Sequence, residues 1–170
     1  MPAGAWLNAG ERSQRYASSA HPYVVPAQIF QTADGWIALF ISHDDFWRRF
    51  CNEAGRAEWT ADPRFATMAA RRENREVLIA ELARIIEGDT TASWVERLAP
   101  LGVVVAPIET LEDALASELV RERAMVATMQ TEGGPLRAVG NPVRIAGVVD
   151  NYGPPPLLDE HGARILGRNR

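Results

Sequence analysis

The spacing of apolar positions changes period twice in the first third of the chain. Ala27–Gln31 and Trp36–Ile41 are β-prone runs separated by Thr32–Gly35 (TADG), and Asp-Gly between such runs predicts a hairpin. Directly afterwards Phe46, Trp47, Phe50 and Cys51 fall at i, i+1, i+4 and i+5, which predicts a helix over residues 43–54 with one apolar face. Asp62–Phe65 (DPRF) reads as a turn ending in an aromatic anchor. The clearest helical period covers 70–87, with Leu78, Leu82, Ile85 and Ile86 as the stripe and Gly88 as the stop. Asp89 or Thr90 caps the next helix, whose Trp94, Leu98 and Leu101 face inward.

Beyond that, Gly102–Ile108 (GVVVAPI) predicts a short buried strand. Thr110–Asp113 (TLED) opens a helix with Leu111, Leu115 and Leu119 on one side. Residues 124–149 read as antiparallel strands broken by EGGP and GNP. Asn151–Pro156 (NYGPPP) predicts an extended linker, and Asp159–Leu166 a short closing helix with Asp159 as its N-cap. Residues 1–20 show no period and read as a helix end followed by a loop. The order hairpin, helices, strand, helix, hairpin predicts an α+β domain over 23–150, with an arm at 1–22 and a linker and helix at 151–170. Both arms read as pieces that pack on something else.

Composition narrows the function. The net charge of −4 offers no basic excess for phosphates, so nucleic acid is a poor partner. All 18 basic residues are arginine, which excludes a P-loop lysine, a Schiff-base lysine and any lysine general base. One cysteine, Cys51, forms no intrachain disulfide and fits a reducing, cytoplasmic setting. The N-terminal MPAGAWLNAGER has the character of neither a signal peptide nor a membrane span.

The polar residues of Ile41–Trp47 (ISHDDFW) pose the sharpest chemical question. Ser42 and Asp45 fit the S-x-x-[DE] capping box, and Asp44 and Asp45 suit the positive end of a helix. Capping does not account for His43. The three histidines, at 21, 43 and 161, have no metal-ligand spacing, so no metal is expected. No G-x-S-x-G is present, and adjacent residues do not make a relay in which each orients the next. Cys51 shares the apolar face with Trp47 and reads as a core thiol. His21–Pro26 (HPYVVP) is a stiff approach to the first strand, either a rigid loop or a cover over a ligand.

Six stretches occur together and in order: HPYVVPAQIFQTADGWIAL, DDFWRRFCNEAG, DPRFATMAARRENREVLIAEL, TTASWVERLAPLGVVVAPI, NPVRIAG and PPPLLDEHGARIL. In these the sequence resembles the class III (CaiB/BaiF-type) CoA-transferases, and it resembles only their C-terminal half. The resemblance implies a small α+β domain that helps cover an acyl-CoA site, with CoA passed between carboxylic acids and no cofactor beyond the CoA thioester itself. It implies that the attacking aspartate lies in a large domain that this chain does not match, so the chain alone would be inactive. Catalytic residues are therefore expected to be absent here, and His21, Pro22, Ser42, His43 and Asp44 are the expected substrate-facing positions. The family's glycine-rich loop would fall near Ala17–His21 (ASSAH), where glycines are missing. A glutamate of the racemase-like members would fall at His43. Expected partners are an acyl-CoA or carboxylic acid, and a separate N-terminal half or a second copy. The alternatives are a non-catalytic acyl-CoA-binding or dimerisation module, and part of an α-methylacyl-CoA racemase-like enzyme.

Overall fold

The computed structural model describes residues 2–10, 12 and 14–167. The remaining residues, all in the two predicted arms, lie outside the described residues. The architecture is α+β, with eight helices and two small antiparallel sheets among the described residues. The chain forms two compact units, Met1–Ile108 and Glu109–Arg170.

The first unit begins with α1 (Pro2–Ala9) and is built on the predicted hairpin. β1 (Ala27–Gln31) pairs with β2 (Trp36–Phe40), Ala27 opposite Phe40 and Gln31 opposite Trp36. β3 (Val104–Pro107) adds to the other edge of β2, with Leu39 opposite Val105. The period of two sorts the side chains. Phe30, Ile37 and Leu39 face the core, where Trp47 and Phe50 of α2 (Asp44–Glu53), Leu78, Leu82 and Ile86 of α4 (Arg75–Glu87), and Trp94 and Leu98 of α5 (Thr91–Leu98) bury against them. Five aromatics run through this core. Phe65 meets Trp59 edge-on at 5.5 Å, and Trp59, Trp47, Phe50 and Trp94 follow at centroid spacings of 6.1, 5.9 and 6.3 Å, inside the range for favourable ring pairs. The hairpin turn is tied to the start of α5: Thr91 N donates to Asp34 Oδ1 at 2.7 Å, which holds the Asp34 carboxyl below the usual value.

One charged side chain lies in this core. Arg71, on α3 (Met68–Glu73), is fully buried. Its Nε donates to Val25 O at 3.0 Å, Nη1 to Phe65 O at 2.9 Å and Nη2 to Asp44 Oδ1 at 2.7 Å. Its guanidinium carbon lies 4.9 Å from the centre of the Trp47 ring. A planar fork serves three divergent acceptors and a ring face at once, which an ammonium does not.

The structure corrects several boundaries. The predicted helix over 70–87 is two helices, broken at Asn74, whose Nδ2 donates to Ala70 O at 3.0 Å; an Asn amide competes with the helix for backbone acceptors. The strand read as buried over 102–108 is an edge strand, Val104–Pro107, with Val104 56% exposed; Pro107 carries no N–H and suits an edge.

In the second unit the predicted helix after Thr110 is also two, α6 (Leu111–Ala116) and α7 (Glu118–Glu122). Ser117 accepts from Val120 N and starts the second, so Leu111, Leu115 and Leu119 share no buried stripe and all stand exposed. β4 (Val126–Thr131) and β5 (Gly134–Val139) form a hairpin, and residues 140–149 hold no strand. The closing helix α8 is shorter than predicted, Gly162–Ile165, and Asp159 has φ +60° rather than capping it. Among its described residues this unit buries a single apolar side chain, Ala127.

The Arg71 network predicts unequal costs. Arg71→Ala strands two buried carbonyls and should lower stability by about 3–5 kcal/mol. Asp44→Asn should cost less, about 1–2 kcal/mol, because both carbonyl contacts remain and the Asn amide oxygen can still accept from Arg71 Nη2. Urea unfolding of the two variants checks this; equal losses would show that the ion pair, not the carbonyl fork, holds the core.

Candidate functional site

The residues predicted to face substrate sit on the two segments that leave one end of the hairpin. Because Ala27 pairs with Phe40, residues before β1 and after β2 emerge together, and Ile41 N donates to Pro26 O at 3.0 Å to continue the pairing. The fold thus brings His21 and Pro22 to the same end of the sheet as Ser42, His43 and Asp44. Among the described residues, no hydrogen bond joins the side chains of the two groups.

The first group belongs to a strap, residues 16–25. Ser18 and Ser19 both adopt left-handed backbone, at φ +54° and +55°. Each such residue costs an L-amino acid roughly 1–2 kcal/mol, which glycine would avoid. His21 N then donates to Ala27 O at 2.8 Å, laying the strap along the start of β1. Tyr23 N and Val24 N donate to His21 Nδ1 at 3.1 and 3.0 Å. Two converging N–H groups make Nδ1 the acceptor, so Nε2 carries the ring hydrogen and is free to donate. Arg75 holds the strap from beneath: its Nη2 donates to His21 O at 2.8 Å and Pro22 O at 3.0 Å, and its guanidinium stacks 4.8 Å from the Tyr16 ring centre. Arg71 bonds Val25 O at the strap's far end.

The second group is not the capping box expected from Ser42 and Asp45. His43 is the residue before α2, and no side chain caps that helix. Ser42 Oγ shares a 2.7 Å hydrogen bond with His43 Nδ1, which takes the serine oxygen away from the helix amides. Asp45 turns outward to Arg49 at 2.5 Å and Arg48 at 3.4 Å. Asp44 pairs with Arg71. The His43 ring stands edge-on to Phe46 with centroids 5.6 Å apart.

Between the strap and the outer face of the sheet lies a trough of about 460 Å³, lined by His21, Ile29, Ala38, Phe40, Val104 and Ala106 among others. A groove of about 500 Å³ also opens at the start of α4, beside Tyr16, Tyr23 and Arg72; its Arg75 is already committed to the strap carbonyls, so the trough is the better candidate. Cys51 offers no nucleophile: burial pushes its thiol up to about 12, against a small opposing effect of Arg71. Among the described residues, no three His, Cys, Asp or Glu side chains converge as metal ligands, and no helix is long and apolar enough to cross a membrane.

Arg71, Arg75 and the left-handed serines were not singled out from sequence. The first carried a signal: Arg71 lies seven residues before Leu78, in phase with the apolar stripe, where a charge is out of place. The serines carried none in period or composition; only the resemblance, which sets a glycine-rich loop near Ala17–His21, pointed to them.

A family model described as CoA-transferase family III matches residues 2–162. The acetyl-CoA:oxalate CoA-transferase of Acetobacter aceti is 31% identical over 94% of this chain and 40% of its own length. The human succinyl-CoA:glutarate CoA-transferase is 27% identical over 92% of this chain and 36% of its own. Among solved structures, a CaiB/BaiF family protein from Brucella suis superposes with a TM-score of 0.75 at 29% identity, covering 98% of this chain and 43% of that one. Rv3272 from Mycobacterium tuberculosis also gives 0.75, at 27% identity and 82% coverage of this chain. The chain therefore spans about 40% of the length of the relatives it matches.

Two outcomes follow from the local geometry. Ser42→Ala should change stability by less than about 0.5 kcal/mol, whereas Thr90→Ala, which removes a true cap on α5, should cost about 1 kcal/mol; thermal melts of both decide whether Ser42 is a cap. Cys51 in the folded chain should resist iodoacetamide at pH 8 and react at once in denaturant, measured by mass spectrometry. Rapid native labelling would contradict its burial.

Proposed function

The chain belongs to CoA-transferase family III, and from that premise we propose that it supplies the part of a class III CoA-transferase that covers the acyl-CoA site. The attacking carboxylate comes from polypeptide outside the matched segment. In the reaction proposed, that aspartate attacks the thioester carbonyl, the C–S bond breaks and CoA leaves as thiolate, giving a mixed anhydride. The acceptor carboxylate displaces the donor carboxylate from the aspartyl carbonyl, and the CoA thiolate then attacks the acceptor's acyl carbonyl, forming the new thioester and freeing the aspartate. The anhydride must be kept from water. That task falls to the strap at residues 17–22, with His21 Nε2–H and the Ser42–His43 pair at its rim.

The observation that carries this reading is the backbone at Ser18 and Ser19. These residues stand where the family's glycine-rich loop is expected, and they keep a conformation natural to glycine despite its cost. The exposed apolar side chains of the second unit, Leu111, Val139, Val149 and Leu158 among them, support a need for covering polypeptide. We propose nucleophile-bearing polypeptide of the family, or a second copy, as that cover, and the cytoplasm as the setting. A proton-transfer role, as in a racemase, has one observation in its favour: the hydrogen bond that orients His43.

Co-expression with a nucleophile-bearing N-terminal polypeptide of the family tests the proposal. The assembled pair should transfer CoA from an acyl-CoA to a carboxylate, while this chain alone should not. A stable pair that neither binds acyl-CoA nor transfers CoA would refute it. His43→Ala separates the chemistries: it should leave CoA transfer within about tenfold, whereas exchange of the α-proton into deuterated water, if present, should fall by about 10²-fold or more.

A further inference from the structure

The outer face of the three-stranded sheet is apolar except for Gln31 at the turn end, and the trough under the strap is cut into it. The register sets its shape. One rung is Ala27, Phe40 and Val104, and the next is Ile29, Ala38 and Ala106. The alanines leave the space; Phe40, Val104 and Ile29 make its walls. Its polar groups are few. Ser19 and His21 stand at the strap side, Gln28 of β1 is the one other polar residue of the lining, and among the described residues no Asp, Glu or Arg lines it. The two arginines that hold the strap are committed elsewhere, Arg75 to the carbonyls of His21 and Pro22 and Arg71 to Val25 O, Phe65 O and Asp44.

From this lining we infer that the trough takes the apolar tail of a monocarboxylic acyl group, whose polar head lies beside Ser19 and His21. The assignment rests on the reading above, that this end of the sheet faces an acyl-CoA, and it adds the substrate class. An acyl group with a second carboxylate at its far end would place that charge against Ala38, Ala106 and Val104 with no cation in the lining to meet it. Burying an unpaired carboxylate is strongly unfavourable. A plain alkyl tail meets only side chains of its own kind and gains from leaving water. The single polar end, with His21 Nε2–H as a donor, matches the one polar end of such a ligand.

Titration of the full chain, labelled at alanine methyls, with octanoate and with glutarate tests the inference. Octanoate should shift the resonances of Ala27, Ala38 and Ala106 saturably, and glutarate should bind at least tenfold more weakly. Ala106→Phe, on the exposed edge strand, should weaken octanoate by roughly tenfold, as expected when about two methylenes lose their burial. Its melting temperature should be unchanged. Ala38→Val provides a second, smaller filling of the same space, with a smaller loss. Absence of saturable shifts, equal binding of glutarate, or shifts that follow protein concentration instead of ligand would each overturn the inference; the last would identify the face as a contact between copies. In the assembled enzyme, CoA transfer to glutarate that outpaces transfer to octanoate would overturn the inference and leave the proposed function standing. Octanoate binding in the trough without transfer to any acid would refute the proposed function and leave the trough's preference for an apolar tail supported.

Discussion

A buried guanidinium organises the first unit. Arg71 sits where the apolar stripe of the following helix would place a leucine, and its three hydrogen-bonded contacts reach the end of the strap, the turn before α3 and the first residue of α2. These segments are far apart in sequence. Each would otherwise leave a carbonyl or carboxylate without its partner inside or beside the core, a cost of about 1–3 kcal/mol for each buried group. Trp47 closes the fourth side with its ring face. The aromatic row, the helix start at Asp44 and the approach to β1 are consequently fixed relative to one another by a single side chain.

The sheet above that core is unusual in being mostly apolar on both faces, with Gln28 and Gln31 of β1 as the polar exceptions. Its inner face is filled by helices. Its outer face keeps Trp36 and Ile108 about half exposed beside the alanine-lined trough. Antiparallel sheets with one wet face ordinarily alternate apolar and polar positions. Here large and small side chains alternate along the outer face of β2 (Trp36, Ala38, Phe40), which gives a surface shaped for contact instead of hydration. The second unit carries the same message more strongly, with one buried apolar side chain among its described residues and many exposed ones.

Much of this was legible in the sequence. The hairpin, the aromatic face of α2, the stop at Gly88, the Thr90 cap and the burial of Phe65 and Cys51 all follow from local chemistry and period. What escaped was decided by competition between local options. Ser42 and Asp45 satisfied the pattern of a capping box, but a neighbouring imidazole and two arginines offered those side chains other partners. Asn74 and Ser117 sat inside helical periods yet bonded the backbone and split the helices. The leucines after Thr110 had the spacing of a buried stripe, but spacing states only which residues share a face, not whether anything covers it. The strap was read as stiff from its prolines; what stiffens it is two arginines that no local pattern links to it.

That last point bears on the thermodynamics of any encounter at the strap. Residues 16–25 have little regular structure, and a loop of that kind commonly gives up its freedom when a ligand arrives, at about 1–2 kcal/mol for each residue ordered. Here Arg75 and Arg71 fasten its carbonyls to the helices below, and the imidazole of His21 gathers its amides. The conformational entropy of the segment is therefore lost when the chain folds, and a molecule settling against it meets a wall whose shape is already determined.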